Sequence, residues 1–565
     1  MRLIELSADK PSFKTIRFNR TGLTLIRGSN KRTNGDDGSS GNGVGKTLAL
    51  GLVHHCLGAN ARPAFKEKLS DWVFRLRFEI NGQENYVERS GDGRIIFLNG
   101  KKQKNLTEYT DWLNKSGVFA LREKQELLTF RSLIKRFSRY EKEDCLDPLK
   151  TAKEDDAPAL LRNFFLLGLD CDYVQQKITH KKRLDDLKKA IQIWKDEPTL
   201  HEFFRAGHEP KLRLQQLDRE IPRLEIDLDK FDVAENYHEL MLDAQYKTNQ
   251  LRILEKEINT LKFQLYGIEK LLYQRPDISK NDLLQLYESL TNIFNPNVLA
   301  HFEKVEEFHQ KFLANRMGRL EGDKCQLLKD VRQKEELLKL VCSQRDNLLK
   351  NLQGKRALDE YAAISNEIAS FKAERDKLNE YLSFNDKRKE EIQKVKEIMV
   401  HEDALANAYS KVSPHSIHDE FFQRLAGKLY PKLSSGIILD NNTGKNSVRY
   451  DLKVQIEGDS SDGIGGAKVI CFDWLLLMQG KNHTVDFLWH DNRLFADMGE
   501  NPRTAWFKEI LDSQTDKQYI ATINTENYES MKKYLDDAHQ KALDDSIVLD
   551  LYDDDVKNKL LGIQF

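Results

Sequence analysis

The chain has 565 residues, 32% of them charged and 39% hydrophobic, with a mean hydropathy of −0.63. That balance is too polar for one compact globule of this length, so several domains and a large exposed part are expected. Acidic and basic residues nearly cancel, 90 against 89, which excludes a global electrostatic attraction to nucleic acid and leaves only a local patch.

The first expected element is a strand at residues 1–6, MRLIEL. A second, LTLI at 23–26, ends at Arg27-Gly28, and a polar, turn-rich insertion over 29–40 follows it. Then comes Gly41-Asn42-Gly43-Val44-Gly45-Lys46-Thr47, leading into an expected helix over 48–56. Strand, glycine-rich loop and helix are the context of a phosphate-binding loop. Glycines let the backbone curl round the ligand, and the helix N-terminus offers unpaired N–H groups. Lys46 then reaches the terminal phosphates and Thr47 holds Mg²⁺. Ser40 stands where the consensus has its first glycine, and Gly28 is read as that glycine displaced by the insertion.

Residues 72–78 (WVFRLRF), 86–89 and 95–98 read as short strands, the last running into an Asn99-Gly100 hairpin turn. An α/β lobe is therefore expected over 1–170. From 171 to 410, charged residues carry leucines at helical spacing: Leu251, Leu254, Ile258, Leu261, Leu265 and Ile268. Steps of three and four place one apolar stripe on a helix, and Leu327, Val331, Leu338 and Val341 repeat it. Breaks at Pro276 and Pro296 put the turn of an antiparallel coiled coil near 275–298, and Gly207, Pro210 and Pro222 predict an interruption of the outgoing arm. The six cysteines are scattered without a CxxC pair, so neither a disulfide framework nor a zinc site is expected, and none lies at the turn to join arms through metal.

The α/β texture returns over 411–565. GIIL at 436–439 and YDLKVQI at 450–456 read as strands, and Ser460-Ser461-Asp462-Gly463-Ile464-Gly465-Gly466 opens a helix over 469–479, a second anion-binding helix end. The apolar strand TVDFLWHD at 484–491 ends on Asp491, a carboxylate placed to hold the Mg²⁺ of a nucleotide beside a P-loop strand. No apolar run approaches the ~18 residues that span a bilayer, so a soluble, cytoplasmic protein without a membrane partner is expected.

The order of these motifs resembles the head of the coiled-coil ABC ATPases, the SMC, RecN and RecF-like group, over nearly the whole chain. The runs LTFRSLIKRFSR (128–139), CFDW (471–474) and HDNRLF (490–495), with the polar insertion before NGVGK (42–46), look like the bacterial YydD-like family of three-component ABC systems. The resemblance implies an α/β ABC-type ATPase head assembled from N- and C-terminal segments, with a long antiparallel helical coiled-coil insertion. It implies a homodimer whose heads sandwich ATP and Mg²⁺. Gly28, Asn42, Gly43, Val44, Gly45, Lys46 and Thr47 of one chain would then face Ser461, Gly463, Gly465 and Gly466 of the other, with Mg²⁺ on Thr47 and Asp491. The activity implied is an ATP-gated clamp or sensor on DNA, in a bacterial anti-phage or anti-plasmid defence complex with co-encoded effector or accessory proteins. A DNA repair or recombination ATPase and an ATP-binding dimeric scaffold with little hydrolysis are the alternatives. Lys135, Arg136, Arg139, Lys181, Lys182 and Arg183 form the candidate DNA patch.

The catalytic set Lys46, Asp491, Asn492 and Asn524 departs from the group's pattern. Asn492 stands where most members have glutamate, and an amide orients water without accepting its proton, so slow hydrolysis is expected. His490, Asp497 and Glu500 are candidate substitutes. Asn524 stands where the group has a γ-phosphate-sensing histidine, and Tyr140 falls where its Q-loop glutamine is expected. The run LLQLY at 283–287 reads as a helical cap or a docking site at the apex.

Overall fold

The computed structural model describes residues 1–29, 43–122, 127–196, 207, 209–229, 235–273, 296–351 and 357–565. Gly41, Asn42, the insertion at 30–40, the expected turn at 275–295 and the LLQLY run lie outside the described residues. The chain divides into two units, one built from Met1–Lys181, Asn281–Glu303 and Met399–Phe565, the other from Lys182–Lys280 and Lys304–Ile398. Among the described residues no helix is long and apolar enough to cross a membrane.

The first unit begins with β1 (Arg2–Ala8), β2 (Ile16–Arg17), β3 (Gly22–Ser29) and α1 (Lys46–Cys56). It continues through β4 (Val73–Ile80), β5 (Gln83–Ser90), β6 (Ile96–Leu98) and β7 (Lys101–Lys102). Its C-terminal part holds β8 (Ser435–Asn441), β9 (Tyr450–Ile456), the helix Asp462–Gln479, β10 (Phe487–His490), β11 (Gln518–Asn524), the helix Thr525–Lys532 and β12 (Ile547–Tyr552).

The alternating strand VFRLRFEI buries Phe74, Leu76, Phe78 and Ile80 on one face, as half-covered antiparallel strands do. It lies inside a six-stranded sheet ordered β2-β1-β4-β5-β6-β7. Asn99 and Gly100 link β6 to β7 with φ of 49° and 77°, the left-handed pair a tight hairpin needs. The strands β3, β10 and β11 instead carry consecutive buried residues, at 23–26, 487–490 and 518–523, the pattern of strands covered on both faces. They form a four-stranded sheet ordered β10-β11-β3-β12, in which every pairing is parallel. The N-terminal strand β3 thus sits between two C-terminal ones, with Gly28 paired to Asn524 and Leu25 to Ala521. One core joins the two ends of the chain, and the C-terminal edges of β3, β10, β11 and β12 face the same way.

The second unit takes the helices α2 (Asp172–Lys195, from Lys182 on), α3 (Pro210–Asp229), α4 (Glu235–Tyr273), α5 (Pro296–Asn351, from Lys304 on) and α6 (Ala357–Lys411, up to Ile398). Helix α2 ends at Lys195 and α3 begins at Pro210, whose missing N–H costs nothing in a first turn, whereas Pro222 lies inside α3 without ending it. The expected leucine stripe is used: Leu251 and Leu254 of α4 pack against Val341 of α5. Lys334–Glu257 and Lys324–Glu269 pairs show that these helices run antiparallel. On another side α4 meets α6 through Arg252–Asp376 and Lys256–Glu380, whose rising numbers mark a parallel pair. Leu217 and Ile221 of α3 pack on Ile368, Leu378 and Tyr381 of α6, with Arg213 paired to Glu374. The chain therefore reverses between α3 and α4 and between α5 and α6, as well as between α4 and α5, and these helices form a bundle. Exposed ion pairs such as these contribute little singly, and the buried leucines carry the packing.

Candidate functional site

The loop before α1 turns on Gly45, whose φ of 108° is open to glycine and costly for other residues. A Cβ there would also press on Leu560 Cβ at 2.5 Å. The turn aims the first amides of α1 outward, and the helix has neither a side-chain cap nor an acidic residue in its first turn. That end is therefore left to an anion. Lys46 folds back along the end of β3, where a Cβ on Gly28 would overlap its Nζ, so the absence of a side chain at Gly28 makes room for the lysine. Burial pushes the Lys46 ammonium down to about 8, against the opposing pull of Asp491 and Asp553. A bound polyphosphate would reverse that shift.

Beyond the loop, Thr47 Oγ1 lies 3.1 Å from Asp491 Oδ2 and 3.3 Å from Oδ1. Asp491 also accepts from Thr522 Oγ1 at 2.6 Å and lies 3.5 Å from Arg493 Nε. Two adjacent oxygens on an octahedral Mg²⁺ at about 2.1 Å sit about 3.0 Å apart, so the Thr47 hydroxyl and Asp491 carboxylate fit that ion with little movement. Gly43, Val44, Gly45, Lys46, Thr47, Asp491 and Asn492 all line one cleft of about 490 Å³.

Asn492 has a different occupation from the one its position suggests. Its Oδ1 accepts the backbone N–H of Asn524 at 3.0 Å and lies 3.4 Å from Asn527 Nδ2, while its own N–H donates to Thr522 Oγ1. The amide oxygen thus fixes the start of the helix Thr525–Lys532. Asn524, the N-cap of that helix, does not line the cleft, and its Oδ1 is buried with no hydrogen-bond partner among the described residues.

No curated protein matches the chain. A family model described as "uncharacterised protein conserved in bacteria (DUF2326)" matches residues 425–565. The solved structures it resembles include an Smc head domain with a coiled coil and joint from Pyrococcus yayanosii, at 14% identity and a TM-score of 0.37, covering 95% of this chain and 94% of that one. Another is an Smc head with an extended coiled coil bound to the C-terminal domain of ScpA from Pyrococcus furiosus, at 11% identity and a TM-score of 0.32, covering 94% of this chain and 91% of that one. A third is an Smc head bound to the C-terminal winged-helix domain of ScpA, at 9% and 0.36, covering 96% and 91%. Identities and TM-scores are low, so the chemistry rests on the cleft itself.

Ser461, Gly463, Gly465 and Gly466 do not line that cleft. Ser461 is exposed at the head of the helix Asp462–Gln479 and makes no side-chain cap. Gly463 and Gly466 are buried against backbone: a Cβ on the first would overlap Asp497 O, and one on the second would come within 2.7 Å of Leu494 O. These glycines are needed for packing within the chain, a reason separate from access to phosphate.

Of the candidate water activators, His490 is fully buried and both ring nitrogens are engaged. Trp506 Nε1 donates to Tyr519 OH (2.7 Å), which donates to His490 Nδ1 (2.9 Å), leaving His490 Nε2–H for Asp473 (3.2 Å). Burial lowers the His490 pKa despite Asp473, so a neutral ring fits this relay. Asp497 and Glu500 are exposed and outside the cleft, Glu500 accepting from Tyr534 OH. Tyr140 is also outside it, with Arg62 3.8 Å over its ring and His54 stacked at 5.6 Å. Two candidates for a DNA patch are corrected as well. Arg139 is fully buried on Asp473, and Arg136 is fully buried on Glu154 and Asn163. Arg183 pairs with Glu391 at 2.8 Å.

The sequence reading missed three parts of the site. Arg493 sits next to Asp491 and lines the cleft. Asp553, directly after β12, acts on Lys46 from the far side of β3 and has a buried Oδ1 without a partner among the described residues. The segment from Lys559 to Phe565 forms a wall of the cleft. An acid just past a strand that neighbours the P-loop strand was a usable signal for Asp553; the tail carries none.

Proposed function

We propose that this chain is an SMC-like ATP-binding protein that takes up Mg·ATP in the cleft between α1 and β10. The observation that carries this is the meeting of Thr47 with Asp491, at 3.1 Å, below an uncapped helix end that holds Lys46. Ser461, exposed and uncapped at the head of the helix Asp462–Gln479, is free to meet the nucleotide of a second copy, which favours a homodimer closed by ATP. The wider role is that of an ATP-gated clamp or sensor on DNA, working with co-encoded effector or accessory proteins in bacterial defence. It draws on the family resemblance and on Lys135, Lys181 and Lys182 as the remaining basic candidates.

Turnover is slow in this reading. Asp491 is the one carboxylate lining the cleft among the described residues, and it belongs to the metal. Asn492 is held by the backbone of Asn524, which favours ATP binding as the main event and hydrolysis as a slow reset.

The test is equilibrium binding of Mg·ATP, light scattering for the dimer and phosphate release. Lys46→Ala removes a charge-assisted contact and lowers ATP affinity about tenfold or more. Ser461→Arg keeps ATP binding and abolishes the ATP-dependent dimer. Mg·ATP affinity indifferent to Lys46→Ala would sink the nucleotide reading, and a monomer at saturating ATP would sink head closure.

A further inference from the structure

The cleft is lined by two kinds of group. Lys46, Thr47, Asp491, Asn492 and Arg493 supply polar ones, while the C-terminal segment adds Leu560, Leu561, Ile563 and Phe565 beside the single charged residue Lys559. That segment lies more than 500 residues along the chain from the loop, and its placement is built in. Leu560 N–H donates to Val44 O at 3.0 Å and Leu560 O accepts from Lys14 N at 2.8 Å, so the segment ties the loop to the turn after β1. Leu560 and Leu561 are 0% and 1% exposed and anchor it in the core. Gly562, at φ 64°, packs so closely on Ser12 that a Cβ would come within 2.6 Å of Ser12 O.

Past this anchor the chain presents apolar surface to the cleft. Phe565 is 39% exposed and Ile563 is half-buried. Phe565 is held from behind by Phe65, 6.2 Å between centroids, and by Lys68 Nζ at 5.7 Å. A ligand that fills this cleft meets the charged groups beside the loop and the apolar side chains of the C-terminal segment.

Resting on the nucleotide reading above, we infer that the segment from Leu560 to Phe565 is the nucleobase wall of the site, with Ile563 and Phe565 covering the base. Leu560 binds the wall to the phosphate loop through Val44, so the two segments that read base and phosphates are joined by a backbone hydrogen bond.

The experiment compares two ligands on the full chain: Mg·ATP and Mg·tripolyphosphate, which lacks base and sugar. Neither Phe565 nor Ile563 is fully buried, and Phe565→Ala with Ile563→Ala leaves the anchors Leu560 and Leu561 in place. Losing base contact of this kind lowers ATP affinity about tenfold, whereas tripolyphosphate affinity stays at the wild-type value. Lys46→Ala lowers both. Unchanged ATP affinity in the double variant, with Lys46→Ala still weakening ATP, overturns the base wall and leaves the nucleotide site standing. Equal loss for ATP and tripolyphosphate also overturns it, since the segment would then act on the loop alone. Failure of Lys46→Ala to weaken either ligand removes the nucleotide site itself.

Discussion

Removing the carboxylate of Asp473 leaves a guanidinium stranded in the core. Arg139 and Asp473 are both 0% exposed, and Arg139 Nε and Nη2 reach the carboxylate at 2.5 and 2.7 Å. The same guanidinium donates to the main-chain oxygens of Asp147, Pro148 and Lys150, and His490 Nε2 shares the carboxylate. In Asp473→Leu the charge keeps its carbonyls and loses its counter-ion, a loss of about 3–5 kcal/mol for a broken buried pair. Arg139→Met costs a similar amount, because Asp473 is then the stranded charge and those carbonyls lose their donor. With both replaced no charge remains buried, so the double variant costs no more than the worse single one, and the cycle shows a coupling of about 2–3 kcal/mol. Urea unfolding read by tryptophan fluorescence suits the measurement. Trp506 donates to Tyr519 in this network, and Trp474 lies 5.8 Å from Trp506. Additive losses, with a coupling under about 0.5 kcal/mol, would refute the claim that these groups act as one buried pair.

Two further outcomes concern pH. Burial holds His54 down at about 3 and His483 at about 4, so the native state keeps both neutral while an unfolded chain protonates them near 6.5. The unfolded state then binds more protons below pH 6.5, and stability present above that value falls toward pH 4 by about 1.4 kcal/mol per unit per histidine. Urea midpoints between pH 7 and 5 check this, and His483→Gln reduces the slope. Lys46, near 8 without ligand, is raised by bound phosphates, so ATP affinity is full below pH 8 and declines as pH rises through 8 to 9.5. Titration calorimetry across that range measures it; a flat profile would show that Lys46 is not the phosphate ligand.

What the sequence determined by itself is what near neighbours decide. Apolar runs at 23–26 and 484–491 announced strands, Asn99-Gly100 announced a hairpin, and the leucines from 251 to 268 announced a helix with one apolar stripe, because period and turn chemistry are set over a few residues. The loop before α1 and the aspartate after β10 were legible for the same reason. Pairing partners were not. That β3 lies between β11 and β12, that Thr47 meets a carboxylate 444 residues away, and that α4 packs on both α5 and α6 are set by long-range burial and by crossovers that leave no local period. His490 and Asn492 make the point within one motif: the letters placed both beside Asp491, and only the tertiary structure turned the histidine into the core and tied the amide to Asn524. The wall from Leu560 to Phe565 was invisible for the same cause, since nothing in its own sequence says which cleft its apolar side chains will face.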